Sequence, residues 1–390
     1  MKRSIIKKGK FDLIILAGGK GSRISKFLKG IPKPLIKVKK LDFIEILLKN
    51  FSKYNVNKIF IAAGYRGRKI YKKYHKKKIN LIDIECVIES KTLGTGGALS
   101  QFKGKTTKNF FVINGDTFFD VNLNHIFDQN RKHNKIFIPL SNSKNYKSNK
   151  KLTNLSLINK KIIFKEKSGY FNGGVYFLNK SIFKKIPEKN FSFEDDLLKL
   201  EIQKNNVIGG YYNDFFLDIG TPRAINIGIP ILTKYLEKPA IFLDRDGTLI
   251  EDKGYTYKLN DLKFINKVIE LLNKYKSRYY IFIVTNQSGI GRGYYTEKDF
   301  FNFQKKIKEN LYKKNILIDD IRYCPFIPDA KIKKYRRKSK FRKPDNYMIK
   351  SLNNNFFIDL KNSIMIGNTE IDKQCAVKSN LRYIDVNKIY

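Results

Sequence analysis

Apolar positions along the chain fall into short runs that alternate with amphipathic stretches. FDLIILA (11–17) is a continuous apolar run that ends in GGKGSR, which predicts a buried strand feeding a tight glycine-rich loop. IFIAAG (59–64), FFVINGD (110–116) and VYFL (175–178) predict further strands. Between them, DFIEILLKNFSKY (42–54) and FEDDLLKLEIQK (193–204) space their apolar residues three and four apart, as helices do. Strand alternating with helix predicts an α/β domain with a largely parallel sheet. The pattern restarts at AIFLDRDGT (240–248), continues through the helix-like KVIELLNKYK and the strand YYIFIVTNQ (279–287), and closes on IMIGN (364–368). Two α/β domains are therefore expected, at 1–232 and 240–390, with TKYLEKP (233–239) as linker. Each is expected to be a Rossmann-like, three-layer domain.

Composition narrows the class. A chain of 390 residues with 42% hydrophobic content is long enough for two packed cores and excludes a mainly disordered protein. No apolar run approaches the roughly 20 residues of a membrane span. The basic start MKRSIIKKGKF is not expected to be a signal peptide, because the apolar stretch and cleavage site are missing. Three scattered cysteines suit a reducing, cytoplasmic setting. The net charge of +44 invites a nucleic-acid reading. However, lysine supplies most of it, the excess is spread over both halves, and no RNA- or DNA-reading motif is present. A lysine-rich surface with no nucleic-acid partner is expected.

The first domain's loops carry phosphate chemistry. Gly18, Gly19 and Gly21, with Leu16 and Ala17 before them, sit where a strand end exposes backbone N–H groups, and Arg23 and Lys33 add positive charge. LAGGKGSR with PKPLIKV (32–38), then LGTGGAL (93–99), NGD (114–116), EK (166–167) with NGGVY (172–176), and DIGTP (218–222) come in one order. Together they resemble the sugar-1-phosphate nucleotidyltransferases over about residues 10–230. The resemblance implies that a sugar 1-phosphate oxygen attacks the α-phosphorus of an NTP and expels pyrophosphate, which requires alignment and charge neutralisation more than covalent work. It implies Mg²⁺ on Asp116 and Asp218, and triphosphate contacts from Arg23 and Lys33. Lys167 is implied for the sugar phosphate, and Glu166 and Asn172 for sugar hydroxyls, with Gly174 allowing close approach. Gly94, Thr95 and Gly97 fall at the base. Glu194 is either a further sugar contact or a solvated helix start. LGTGGAL looks more like guanylyl- and heptose-specific members than like thymidylyltransferases.

The second domain opens on LDRDGTL (243–249), two aspartates two apart after a buried strand, one able to attack phosphorus while the other handles the proton. TNQSGIGRGYY (285–295), RKP (342–344) and GNTEID (367–372) follow. The set resembles the haloacid dehalogenase superfamily, and with EDKGY (251–255) its heptose 1,7-bisphosphate phosphatases and histidinol-phosphatase relatives. That resemblance implies Asp244 as nucleophile, Asp246 as acid/base, and Thr285 and Lys343 on the transferring phosphoryl group. It implies Arg342, Asn286 and the 252–255 segment at the substrate. Mg²⁺ would lie between Asp244, the Asp246 carbonyl and Asn368, where the motif usually has aspartate; an amide oxygen can coordinate but brings no charge. The family's zinc loop is reduced to Cys324, with Phe326, Ser339 and Phe341 at the other ligand positions, so no zinc is expected. The run KIKKYRRKSKFRK (331–343) reads as a solvated charge stretch, with attraction of a phosphorylated substrate as the alternative.

The two resemblances imply a bifunctional enzyme: a heptose bisphosphate is dephosphorylated, and the heptose 1-phosphate receives a nucleotidyl group, GMP from GTP by preference. The product would feed lipopolysaccharide, capsule or S-layer glycans. Two alternatives stand beside it: a hexose-1-phosphate nucleotidyltransferase joined to another phosphatase, and a nucleic-acid-binding protein with degenerate catalytic domains.

Overall fold

The computed structural model describes residues 9–19, 21, 24, 28, 30–142 and 153–389. Its contacts divide the chain into two units, Met1–Leu232 and Thr233–Tyr390.

In the first unit the apolar run at 11–17 forms β1 (Phe11–Leu16), and the amphipathic stretch after it forms α1 (Phe43–Ser52), which buries Phe43, Ile44, Leu47, Leu48 and Phe51. Then come β2 (Val56–Ala63), β3 (Ile82–Ile88), α2 (Gly94–Ser100), β4 (Asn109–Asn114), β5 (Thr117–Phe119) and β6 (Ile136–Ser141). They are followed by β7 (Tyr170–Asn172), β8 (Val175–Asn179) and β9 (Phe216–Asp218). Part of the main sheet runs in the order β3–β2–β1–β4–β8–β6. β1, β2, β3 and β4 are mutually parallel, so each needs a crossover, and the apolar runs reflect burial on both faces. The chain winds from β1 outward through β2 to β3 and then returns to β4 on the opposite side of β1. The loops after Leu16 and Asn114 therefore diverge and leave a crevice at this switch point.

The expected largely parallel sheet is in fact mixed. β8 runs antiparallel to β4 with Tyr176 opposite Val112, and Thr153–Ile158, Lys161–Phe164 and β7 add antiparallel pairings. Apart from β8, which the run VYFL predicts, these strands are short and break their apolar residues with polar ones, so no continuous run announces them. The predicted helix at 193–204 begins as a π-type segment, Phe193–Leu198, capped by Ser192, and continues as Lys199–Gln203. One face of the sheet packs Ile14, Phe60, Val112 and Tyr176 with Leu99, Phe102, Phe193 and Leu198. The other stacks Phe111 between Phe11 and Phe177, with ring centroids at 4.7 and 5.0 Å.

The expected linker is largely built into structure. α3 (Ile229–Leu236) runs into it, the Tyr280 hydroxyl donates to the Leu236 carbonyl at 2.6 Å, and Lys238 bridges to Ile358. The second unit contains β10 (Ala240–Leu243), α4 (Asn266–Tyr275), β11 (Tyr280–Asn286), α5 (Glu297–Lys313) and β12 (Asp320–Cys324). It ends with α6 (Tyr347–Asn355), β13 (Ile364–Gly367), α7 (Glu370–Val377) and β14 (Arg382–Asp385). All five strands are parallel, in the order β12–β11–β10–β13–β14. Phe242, Phe282 and Val284 face Met348, Leu352 and Ala376 of α6 and α7. The alternate residues Ile241, Leu243, Ile281 and Ile283 are equally buried on the opposite face. Here too the winding reverses beside the first strand, between β10 and β13.

Phe111 is fully buried at the centre of the aromatic stack. Phe111→Ala is expected to destabilise the first unit by about 3–5 kcal/mol, read as faster hydrogen exchange in peptides from β1, β4 and β8 while peptides from the second unit keep their protection.

Candidate functional sites

The first crevice opens at the carboxyl ends of β1 and β4, has a volume of about 240 Å³, and is lined by Leu16, Ala17, Gly18, Gly19, Lys33, Glu89, Gly94, Thr95 and Asp116 among others. Its floor is backbone: Ala17 N donates to Ala62 O at 2.8 Å, Gly115 N to Leu16 O at 2.9 Å, and Tyr65 N to Gly18 O at 3.1 Å. Gly18 is pressed against Gly64 and the Glu89 carboxylate, where any side chain would collide. Gly21 adopts φ +62° beside the Lys33 stem, a conformation that favours glycine. Lys33 is buried and donates from Nζ to Asp116 Oδ2 at 2.8 Å. Asp218 ends β9 and pairs with Thr117, the residue after Asp116, while Ile219 N donates to Asp116 O. Two carboxylates thus emerge from neighbouring strand ends. Oxygen donors of this kind suit a hard divalent cation. Among the described residues no group of three or more acidic, histidine or cysteine side chains converges. Arg23 lies outside the described residues.

The remaining expected residues separate into two sets. Gly94 (φ +71°) and Thr95 line the crevice, whereas Gly97 is buried and packs against the Lys189 carbonyl, closing the 189–193 loop rather than facing the cleft. Thr95 Oγ1 donates to Glu194 Oε2 at 2.6 Å, Tyr176 donates from its hydroxyl to Glu194 Oε1 at 2.9 Å, and Asn172 Nδ2 donates to the Tyr176 hydroxyl at 2.8 Å. Glu194 is therefore not a solvated helix start: it is buried and joins the Thr95 loop to β8. Burial, reinforced by the Glu194 charge, holds the Tyr176 phenol well above its ordinary range. Asn172 Oδ1 accepts from Gly174 N, which shapes the turn at Gly174 (φ +73°). Glu166 and Lys167 lie on an exposed turn and are not among the residues lining the cleft.

Sequence reasoning missed Glu89. It follows β3, lines the crevice, and accepts from the Leu93 backbone N–H; burial raises its carboxyl above the ordinary range while that hydrogen bond opposes the rise. A single acidic residue at a strand end carries no spacing signal.

In the second unit Asp244 follows β10, its N–H donating to Ile366 O of β13 at 3.0 Å, so it stands at the switch point. Lys343 is buried and donates from Nζ to Asp244 Oδ1 at 2.5 Å and to Asp372 Oδ1 at 2.6 Å. Burial pushes the Asp244 carboxyl up to about 6; Lys343 opposes this, and Asp372 and Asp246 add to it. Burial alone would lower the Lys343 ammonium, but the two carboxylates hold it above the ordinary lysine value. Asn286 positions this lysine: its amide donates to Lys343 O at 3.1 Å and accepts from Lys343 N at 3.0 Å. Asp372 is fixed by a capping box with Thr369 at the start of α7. Asn368 packs against Gly247 and its Oδ1 accepts from Thr248 at 3.1 Å, placing an amide oxygen beside the aspartate loop. Asp244, the Asp246 carbonyl and Asn368 are all hard oxygen donors, compatible with Mg²⁺.

Asp246 is gripped from both sides. Arg245 donates from Nε and Nη2 to its Oδ1 at 2.9 and 2.7 Å, and Gln287 Nε2 donates to Oδ2 at 2.8 Å and to Thr285 Oγ1 at 2.9 Å. Neither Arg245 nor Gln287 stood out in the sequence, because their partners are set by the fold. Arg342 keeps Nη1 buried without a hydrogen-bond partner among the described residues. Part of the 331–343 run is pinned rather than merely solvated. Arg337 lies 4.0 Å over the Phe326 ring, Arg336 Nε donates to Ala330 O at 2.8 Å, and Tyr335 is buried beside Ile327. Cys324 is buried, its Sγ near the Phe326 carbonyl at 3.9 Å.

Comparison with known proteins matches this division. A family described as nucleotidyl transferase fits residues 13–234, and one described as polynucleotide kinase 3 phosphatase fits residues 239–380. The chain is 32% identical over 214 residues to D-glycero-alpha-D-manno-heptose 1-phosphate guanylyltransferase of Campylobacter jejuni, covering 54% of this chain and 94% of that one. It is 38% identical over 142 residues to D-glycero-alpha-D-manno-heptose-1,7-bisphosphate 7-phosphatase of Burkholderia mallei, covering 36% of this chain and 75% of that one. A solved structure, HddC from Yersinia pseudotuberculosis, aligns with 57% of this chain and 99% of its own at 25% identity and a TM-score of 0.49. With a profile match over more than half its length and a phosphatase relative covered to three quarters, the chain belongs to the nucleotidyl transferase family through its first unit and to the family of that phosphatase through its second.

Proposed function

We propose that this chain makes a nucleotide-activated heptose in two steps. The second unit removes the 7-phosphate from D-glycero-α-D-manno-heptose 1,7-bisphosphate, and the first transfers GMP from GTP to the resulting 1-phosphate, releasing pyrophosphate. One observation carries the reading: on a single chain, the relative of one unit is named for a reaction whose product is the named substrate of the relative of the other. Neither reaction touches the anomeric carbon, so the α configuration must be common to both. The product is a glycosyl donor, which fits a place before glycan assembly such as lipopolysaccharide or capsule. Use of GTP fits the cytoplasm, and among the described residues no helix is long and apolar enough to cross a membrane.

The residues fit these tasks. In the first unit Lys33 and the glycine-rich turn offer positive charge and backbone N–H groups to a triphosphate. Asp116 and Asp218 would hold Mg²⁺, which supplies charge neutralisation at the phosphates. Glu89 accounts for the base. Guanine presents adjacent N1–H and N2–H donors that one carboxylate can accept together, whereas uracil and thymine offer a single N–H flanked by carbonyls. In the second unit the Asp244 carboxylate attacks the phosphoryl group, Lys343 neutralises its oxygens, Thr285 donates a hydrogen bond to them, and Asp246 manages the proton of the ester oxygen. Asp244, the Asp246 carbonyl and Asn368 would hold Mg²⁺ there.

Incubation with the heptose bisphosphate, GTP and Mg²⁺ is expected to yield phosphate, pyrophosphate and a GDP-heptose in equal amounts. Asp244→Asn should abolish all three from the bisphosphate while leaving pyrophosphate release from heptose 1-phosphate intact; turnover of mannose 1-phosphate alone would overturn the assignment. Glu89→Gln replaces an acceptor with a donor facing guanine. It is expected to cost about 1.5–3 kcal/mol, or about ten- to a hundredfold in kcat/KM for GTP, with a smaller loss for UTP, measured in a competition between the two nucleotides. Lys343→Met strands two buried carboxylates, which should destabilise the second unit by about 3–5 kcal/mol as well as abolishing phosphate release; a thermal scan with unchanged Tm would count against this ion-pair account.

A further inference from the structure

Arg245 separates the two aspartates of the DRD turn. It is fully buried, its guanidinium 5.3 Å from the Phe303 ring and 5.7 Å from that of Phe300. Burying a guanidinium is costly, and Nη1 finds no hydrogen-bond partner among the described residues. The remaining nitrogens have two targets. Nε and Nη2 hold Asp246 Oδ1, and Nη2 also donates to the Thr256 carbonyl at 2.8 Å, at the end of the 252–255 segment. On the other side Gln287, also buried, donates to Asp246 Oδ2. The orientation of that amide is fixed in turn by Tyr295, whose hydroxyl donates to Gln287 Oε1 at 2.6 Å. With both oxygens held by side chains, the Asp246 side chain remains 20% exposed.

We propose that Arg245, Gln287 and Tyr295 are positioning residues, a clamp that fixes the Asp246 carboxylate for proton transfer and ties it through Arg245 to the 252–256 loop. The inference rests on the reading of the second unit as a phosphatase that works through Asp244. In the first half-reaction the Asp244 carboxylate bonds to phosphorus, the bond from phosphorus to the ester oxygen breaks, and that oxygen takes a proton from Asp246. In the second, water attacks the same phosphorus and gives its proton to Asp246; phosphate leaves and the Asp244 carboxylate is restored. Asp246 acts in both, so its orientation limits both, whereas the attack of Asp244 itself does not depend on the clamp.

That difference supplies the test. 2,4-Dinitrophenyl phosphate has a leaving group that needs no proton, so its first half-reaction bypasses Asp246 and its second does not. In Tyr295→Phe and Gln287→Leu full-length protein, kcat for the heptose bisphosphate is expected to fall by about a hundredfold or less, with KM within about twofold of wild type. With the dinitrophenyl ester the same variants should release about one dinitrophenolate per enzyme at close to the wild-type rate, then turn over slowly. The protein should meanwhile carry one added phosphoryl group by mass. Arg245→Lys, which keeps the charge but loses the fork, should show the same pattern. Unchanged kcat, or burst and steady state falling together, would overturn the proposal. Tyr295→Phe removes one oxygen, so loss of secondary structure in that variant would also overturn it, by making the clamp a folding element. A full-sized burst in Asp244→Asn would sink the underlying phosphatase reading instead.

Discussion

Carboxylates collected at the end of a parallel strand repel one another and resist burial, and each unit resolves this with one buried lysine. Lys33 reaches Asp116 at 2.8 Å; Lys343 reaches both Asp244 and Asp372 at 2.5 and 2.6 Å. Without these cations the acidic strand ends that phosphate chemistry requires would favour protonation or exposure. Much of the surrounding architecture serves to hold the lysines in place. Asn286 brackets the Lys343 backbone with a reciprocal pair of hydrogen bonds, and the Thr369–Asp372 capping box makes the start of α7 the second wall. In the first unit the short helical turn Lys33–Leu35 buries Lys33 and Pro34, so the lysine arrives on a rigid element.

The same topological device produces both sites from unrelated sequences. In each unit the first strand has its successor on one side and a later, returning strand on the other, and the functional loops follow those central strands. Leu16 sits in register with both Ala62 and Asn114; Leu243 sits in register with both Ile283 and Ile366. A loop leaving such a strand cannot be covered by the crossover on either side, so its backbone stays available to a ligand. One crevice uses bare glycine backbone and the other packed side chains. That contrast suits the ligands proposed for them: a long triphosphate in the first, a single phosphoryl group in the second.

These central strands were legible in the sequence because burial on both faces writes continuous apolar runs, as in FDLIILA and YYIFIVTNQ. The outer, antiparallel part of the first sheet was not, since strands such as Thr153–Ile158 carry alternating residues that periodicity alone does not separate from loop. Motif residues close in sequence, among them Asp244, Asp246 and the Gly18–Gly21 turn, were likewise readable. Lys343 was readable too, from RKP, but the pairings that give these residues their state were not. Lys343 lies 99 residues from Asp244, and Gln287 lies 41 from Asp246, distances that only the fold closes. Gly97 shows the converse: a motif glycine that reads as a ligand contact is required because the Lys189 carbonyl leaves no room for a side chain.

The clamp also bears on Asn368, the position where the motif usually carries aspartate. Around Asp244 the pocket already holds Asp246 and Asp372, which Arg245 and Lys343 face as cations. A further carboxylate beside Gly247 would add negative charge next to Asp244, whose carboxyl burial already pushes up. An amide at 368 keeps an oxygen facing the loop, held by the Thr248 hydroxyl, without that charge. The cost falls on affinity for a divalent cation, since a neutral oxygen binds it more weakly than a carboxylate. Arg245 and Asn368 then act in one direction: each limits the negative charge that the DRD loop must carry before substrate arrives.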